Sequence, residues 1–130
     1  GRLMASTVVR TTLRLDQTRN AALFANTATS VGGSETTVLD TFDCALFNRY
    51  SIQIFAGNST ASTVKVYGSI VDTPNASIPT SDWTQIGDTI SVGGNGNALK
   101  AISTTPIRHL AVTAEGNGAS LQVNVYAEQV

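Results

Sequence analysis

Between Asn48 and Val71, apolar and polar residues alternate one by one on both sides of a glycine-asparagine break. No other feature restricts the fold of this chain as strongly. Tyr50, Ile52 and Ile54 alternate with Ser51, Gln53 and Phe55, and Val64, Val66, Gly68 and Ile70 alternate with Lys65, Tyr67 and Ser69. A period of two puts one set on a buried face and the other toward solvent, as in a half-buried β-strand. The break Gly57-Asn58-Ser59-Thr60 predicts that the two strands form a β-hairpin. The design returns later. Leu110, Val112 and Ala114 lead to Glu115-Gly116-Asn117-Gly118, then to Leu121, Val123, Val125 and Ala127. Two such hairpins facing each other would supply most of the core of a sandwich.

The rest of the chain fits this frame. Val9, Thr11, Leu13 and Leu15 alternate with Arg10, Thr12 and Arg14, a strand whose apolar face is thin. Such a strand suits a sheet edge, or an arm that pairs with another subunit. Residues 16–20 read as a turn, and Ala21 to Thr29 as either a strand or one helical turn. Gly32-Gly33-Ser34 is a flexible joint. The expected organisation is therefore residues 1–33 as an N-terminal arm or edge strand and residues 34–130 as a β-sandwich body. Within the body, Glu35 to Phe42 is the first strand, and the two-proline segment 72–82 is a surface loop. Trp83 to Ile86 and Asp88 to Val92 read as short strands around Gly87. There is no sustained apolar helical period. The fold class is all-β, an antiparallel β-sandwich of jelly-roll or immunoglobulin-like kind with an N-terminal extension.

Composition narrows the function classes. Charged residues make up 13% of the chain, against an average of about 25%, and Ser, Thr, Asn and Gly take their place. The net charge is −1, so electrostatic repulsion does little to keep copies apart. Arg2, Arg10, Arg14 and Arg19 face only Asp16 within the first 20 residues. This is a mildly basic segment suited to an acidic partner or a neighbouring copy. It is too dilute, and too poor in aromatics, for nucleic acid. The single cysteine, Cys44, rules out an intrachain disulfide and reads as a small buried thiol. No apolar run is long enough for a membrane helix, so no membrane partner is expected.

Chemistry has few footholds. His109 is the only histidine, and no Gly-x-Ser-x-Gly elbow accompanies it. The carboxylates are scattered, and Asp72 and Asp82 flank the proline loop without the spacing of a calcium loop. Gly93-Gly94-Asn95-Gly96 lacks the Lys-Ser/Thr and the helix of a phosphate loop. The reading is no catalytic residue, no metal and no cofactor. The aromatics carry an alternative. Tyr67 and Tyr126 alternate away from the core face, and Trp83 follows the proline loop. These three are candidate stacking residues for a sugar, although for Trp83 the favoured role is to anchor the loop on the core.

Several strings together resemble a known kind of module: Tyr50-Ser51-Ile52-Gln53-Ile54, Val64 to Ser69, Asp82-Trp83-Thr84-Gln85-Ile86, Ile107 to Val112 and Val123 to Gln129. They are similar to β-sandwich domains of tailed-bacteriophage virion proteins, such as head decoration proteins and head or tail fibre modules. The resemblance spans about residues 47–130. It implies a non-enzymatic protein of the virion, assembled in the bacterial cytoplasm and homo-oligomeric, with a trimer the first expectation. It also implies a capsid or other virion protein as partner. In such proteins an N-terminal segment often docks on the lattice. By position, that part falls here to Val9, Leu13 and Leu15 as apolar contacts and to Arg10, Arg14 and Arg19 as charge partners. The alternative is a carbohydrate-binding module or fibre adhesion domain.

Overall fold

The computed structural model describes residues 9–16 and 19–130, with side chains from residue 21 onward except 40–43. The described residues form ten strands. In chain order these are β1 (Val9–Asp16), β2 (Arg19–Ala25), β3 (Thr29–Ser30), β4 (Thr36–Asp43) and β5 (Arg49–Ala56). They continue with β6 (Ser62–Ser69), β7 (Thr84–Val92), β8 (Asn97–Ile102), β9 (His109–Glu115) and β10 (Ser120–Gln129). One sheet runs β1-β2-β10-β5-β8, with β3 also paired to β10; the other runs β4-β9-β6-β7. Every pairing is antiparallel. Two packed sheets with this strand order make a jelly roll, which decides between the two sandwich types expected.

The alternation read from sequence assigns faces correctly within β5, β6, β9 and β10, but it overreaches at Ile70, which lies past the end of β6 and is 71% exposed. Ile52 and Ile54 of β5, Val64 and Val66 of β6, Leu110 and Val112 of β9, and Leu121, Val123 and Val125 of β10 all lie in one core. Their partners are another matter. The predicted hairpins do not form: β5 and β6 belong to different sheets, and so do β9 and β10. Instead β5 pairs with β10 from Ala56↔Leu121 to Arg49↔Glu128, and β6 pairs with β9 from Thr63↔Glu115 to Ser69↔His109. Both glycine-rich breaks are arches that carry the chain from one sheet to the other. Alternation is a property of one strand and its buried face; it does not say which strand shares the hydrogen bonds. A two-residue turn would force a hairpin, whereas a loop the length of 57–61 can also cross the roughly 10 Å between packed sheets.

The arches gather at one end of the sandwich and are tied together there. Gly57 N donates to Ser120 O at 2.8 Å, Asn95 N to Asn58 O at 2.8 Å, and Gly118 N to Val31 O at 2.8 Å. Asn58 is the hub. Its Nδ2 donates to Gly118 O at 3.0 Å, and its Oδ1 accepts from the backbone of Thr60 and Ser120. The crowding explains a glycine: a Cβ on Gly94 would sit 2.0 Å from Ser59 O.

Residues 19–31, read from sequence as part of an extension, are woven into the larger sheet. Ala22, Phe24 and Val31 lie in the common core, and the Phe24 ring meets Phe47 edge-on at 6.3 Å. Asn26 bridges the gap between β2 and β3. Its Oδ1 accepts from Val123 N at 2.8 Å and its Nδ2 donates to Leu121 O at 3.3 Å, so a side chain continues the ladder along β10. Gly87 does not separate two strands. With φ of 71° it sits inside the continuous β7, whose register against β6 shifts between Val64 and Val66.

The topology is directly testable in a Cys44→Ala background. The variant Gln53→Cys/Asn124→Cys joins register partners on β5 and β10 and should oxidise to an intrachain disulfide. Gln53→Cys/Lys65→Cys joins the positions that a β5–β6 hairpin would pair, and should stay reduced. Non-reducing electrophoresis with thiol counting distinguishes the two.

Candidate assembly and binding surfaces

A jelly roll offers a partner its two outer sheet faces, its two loop ends and its open edges. The outer face of the smaller sheet is covered by the chain itself. The 70–83 loop folds back over it, so that Tyr67, Trp83 and Ala111 form a second buried cluster with Ile78 packed against them. Asp82 and Trp83 hold this loop from its end. Asp82 Oδ2 accepts from Asn75 N, and Trp83 Nε1 donates to Asn75 O, both at 2.8 Å. Trp83 is therefore the loop anchor of the two roles open to it, only 6% exposed, and Tyr67 is 5% exposed.

Beside this cluster lies a polar network that alternation alone does not reveal. Glu35, just before β4, accepts through Oε2 from the Tyr67 hydroxyl at 2.8 Å and from Thr113 Oγ1 at 2.5 Å. Lys65 Nζ stands 3.9 Å from Oε1. Three strands are thus pinned to one carboxylate. Burial, and then the bond to Glu35, push the Tyr67 phenol up to about 12. The sequence signal was slight, since residues 35, 67 and 113 meet only once β4, β6 and β9 are neighbours.

Among the described residues, no loop covers the outer face of the larger sheet in this way. Tyr126, half-buried, lies there opposite Ser51, far from the covered cluster of Tyr67 and Trp83. The three candidate stacking residues are therefore split between opposite faces and form no common platform. In their place the outer face of the larger sheet presents Phe55 at 39% and Leu99 at 64% exposure.

The candidate interface residues fall on β1 and the start of β2. Val9, Arg10, Leu13 and Arg14 pair in register with Ala25, Phe24, Ala21 and Asn20, and Arg19 opens β2 opposite Asp16. Leu15 lies in the register shift between Arg14 and Asp16. Their side chains lie outside the described residues. β1 ends the larger sheet. Of the other sheet edges, β4 has two register shifts and β7 has one, whereas β8 at the far end of the larger sheet is regular over its six residues. β1 keeps an unbroken register from Val9 to Arg14. A regular edge of this kind is open to adding another strand.

The remaining candidates for chemistry have local partners. His109 Nε2 is 3.3 Å from Asp72 O, and Arg108 Nη1 donates to Asp72 Oδ1 at 3.0 Å. Asp72 and Asp82 thus serve separate contacts. Among the described residues no three His, Cys, Asp or Glu side chains converge as a metal site. Cys44 is fully buried, as expected of a packing thiol, with Sγ 3.8 Å from Ile107 O. Two grooves lie at the loop ends. One, of about 490 Å³, is lined by Gly33, Ser62, Gly93 and Gly116, and the other, of about 470 Å³, by Ile70, Ile86 and Ile107. Neither collects a set of catalytic side chains.

No protein-family model and no curated protein sequence matches the chain. Solved structures do share its fold. The SPBc2 prophage-derived protein YomS superposes with a TM-score of 0.60 at 10% identity, covering 89% of this chain and 99% of that one. PirA superposes with a TM-score of 0.50 at 14% identity, covering 80% and 92%. At these identities the likeness is one of fold.

Two outcomes follow for the covered face. Trp83→Ala removes the anchor and leaves a cavity, so it should cost about 3–5 kcal/mol in urea unfolding and open the 70–83 loop to protease. The Tyr67 phenol ionises near 10 in the unfolded chain and near 12 in the folded one. Between these values the unfolded state binds fewer protons, so stability falls as pH rises. In Tyr67→Phe, the drop in melting temperature from pH 9 to pH 11.5 should be smaller than in the wild type.

Proposed function

We propose that this chain is a non-enzymatic structural module of a bacteriophage virion, decorating or stabilising a capsid through self-association and lattice contacts. The observation that carries the proposal is the edge of β1, regular from Val9 to Arg14, at the end of a jelly-roll sheet. A neighbouring strand added there gains a ladder of backbone hydrogen bonds without any specific side chain, which is how one copy extends the sheet of the next. A closed ring, with a trimer as the simplest odd case, repeats that single contact around an axis. The low charge and the net charge of −1 let like copies approach closely. Fold likeness to a prophage-derived protein over nearly the whole of both chains supports the setting. The partner under this reading is a second copy together with a capsid or other virion protein, in a particle assembled in the bacterial cytoplasm.

The test is a truncation chosen by the fold. Removing residues 1–33 would take Ala22, Phe24 and Val31 out of the core, whereas removing 1–16 takes only β1 and what precedes it. The shorter deletion should keep the near-ultraviolet circular dichroism of the full chain and lose both its oligomeric mass by light scattering and its co-sedimentation with phage shells. A full chain that is monomeric at every concentration, or a truncated one that assembles unchanged, rejects the proposal.

A further inference from the structure

We infer that the outer face of the larger sheet is a binding site for a neutral oligosaccharide. Three cross-strand pairs on β5 and β10 make up its centre: Phe55↔Gln122, Gln53↔Asn124 and Ser51↔Tyr126. Both strands are internal, flanked by β2 and β8, so the surface is rigid rather than a loop. Leu99 extends it, lying opposite Gln53 on β8.

Two properties set the ligand class. The first is hydrogen-bonding capacity that the fold leaves to the surface. Ser51, Gln53, Asn124 and Tyr126 are half-buried, and among the described residues their side chains make no hydrogen bond; Gln122 alone is engaged, through Nε2 to Asn26 O. Half-buried amides and hydroxyls that the fold itself does not use are poised for an external partner that both donates and accepts. The second is the absence of charge. None of the six central residues ionises at neutral pH, and the charges at the end of these strands, Arg49 and Glu128, neutralise each other at 3.2 Å. Among the described residues at this centre, phosphates, carboxylates and basic peptides find no charge to pair with. A sugar matches both properties, with hydroxyls for the amides and an apolar ring face for Tyr126 and the exposed Phe55.

The spacing sets the length. At about 3.4 Å per residue, the Phe55 row and the Tyr126 row are about 14 Å apart with the amide pair between them. That is the span of several linked rings, not of a monosaccharide. This inference does not rest on the assembly reading, since it uses a different surface and survives if the chain is monomeric.

The test is affinity electrophoresis of the full chain in gels containing a β-glucan, a mannan or a galactan, with alginate as the anionic control. At least one neutral gel should retard the wild type, and alginate should not. Tyr126→Ala, and separately Gln53→Ala/Asn124→Ala, should each weaken retardation by at least about tenfold with the melting transition still cooperative. Lys65→Ala, on the opposite sheet, should leave it unchanged. The inference is overturned if no neutral polysaccharide retards the chain, if alginate does so more strongly, or if both face variants bind as the wild type does. It is also overturned if the face variants alter only the mass by light scattering, because the face would then be a protein interface.

Discussion

The structure depends on the chain crossing between its two sheets, so that each strand bonds to one far away in sequence. β5 lies against β10 and β6 against β9, and burying Ile52, Ile54, Val123 and Val125 against Val64, Val66, Leu110 and Val112 holds the pairs face to face. Neither sheet can bury its apolar side without the other. Because these contacts are long-range, the chain gives up loop-closure entropy before most of the core forms.

A small set of polar side chains makes the crossings possible. Asn58 ties the β5–β6 arch to the β9–β10 arch through its side chain, and its carbonyl holds the turn before β8. Asn26 continues the β10 ladder where the main chain leaves it. At the opposite end the buried Tyr50 hydroxyl donates to Phe47 O at 2.9 Å and closes the bend between β4 and β5. Each satisfies backbone groups that an irregular segment would otherwise bury unpaired.

The two outer faces are treated differently. On the smaller sheet, a loop anchored by Trp83 covers Tyr67, and Glu35 stitches three strands together. The larger sheet presents the half-buried amides and hydroxyls of β5 and β10 on its outer face and ends in β1. The edge of β1 and the face of amides and aromatics on β5 and β10 are thus separate features of one sheet.

The sequence by itself determined the class of fold, the inward faces of β5, β6, β9 and β10 and the place of the proline loop. These are local properties, set by period-two alternation and by the conformational limits of proline and glycine. It also marked Trp83 as an anchor of the loop it follows. Only the tertiary structure decided that the two glycine-rich breaks are arches, because partner choice belongs to the whole set of strands competing for edges. It likewise drew residues 19–31 into the core, where Phe24 found Phe47. It sent Tyr67 and Tyr126 to opposite sides of the sandwich, since residues alike in a one-dimensional pattern need not share a sheet.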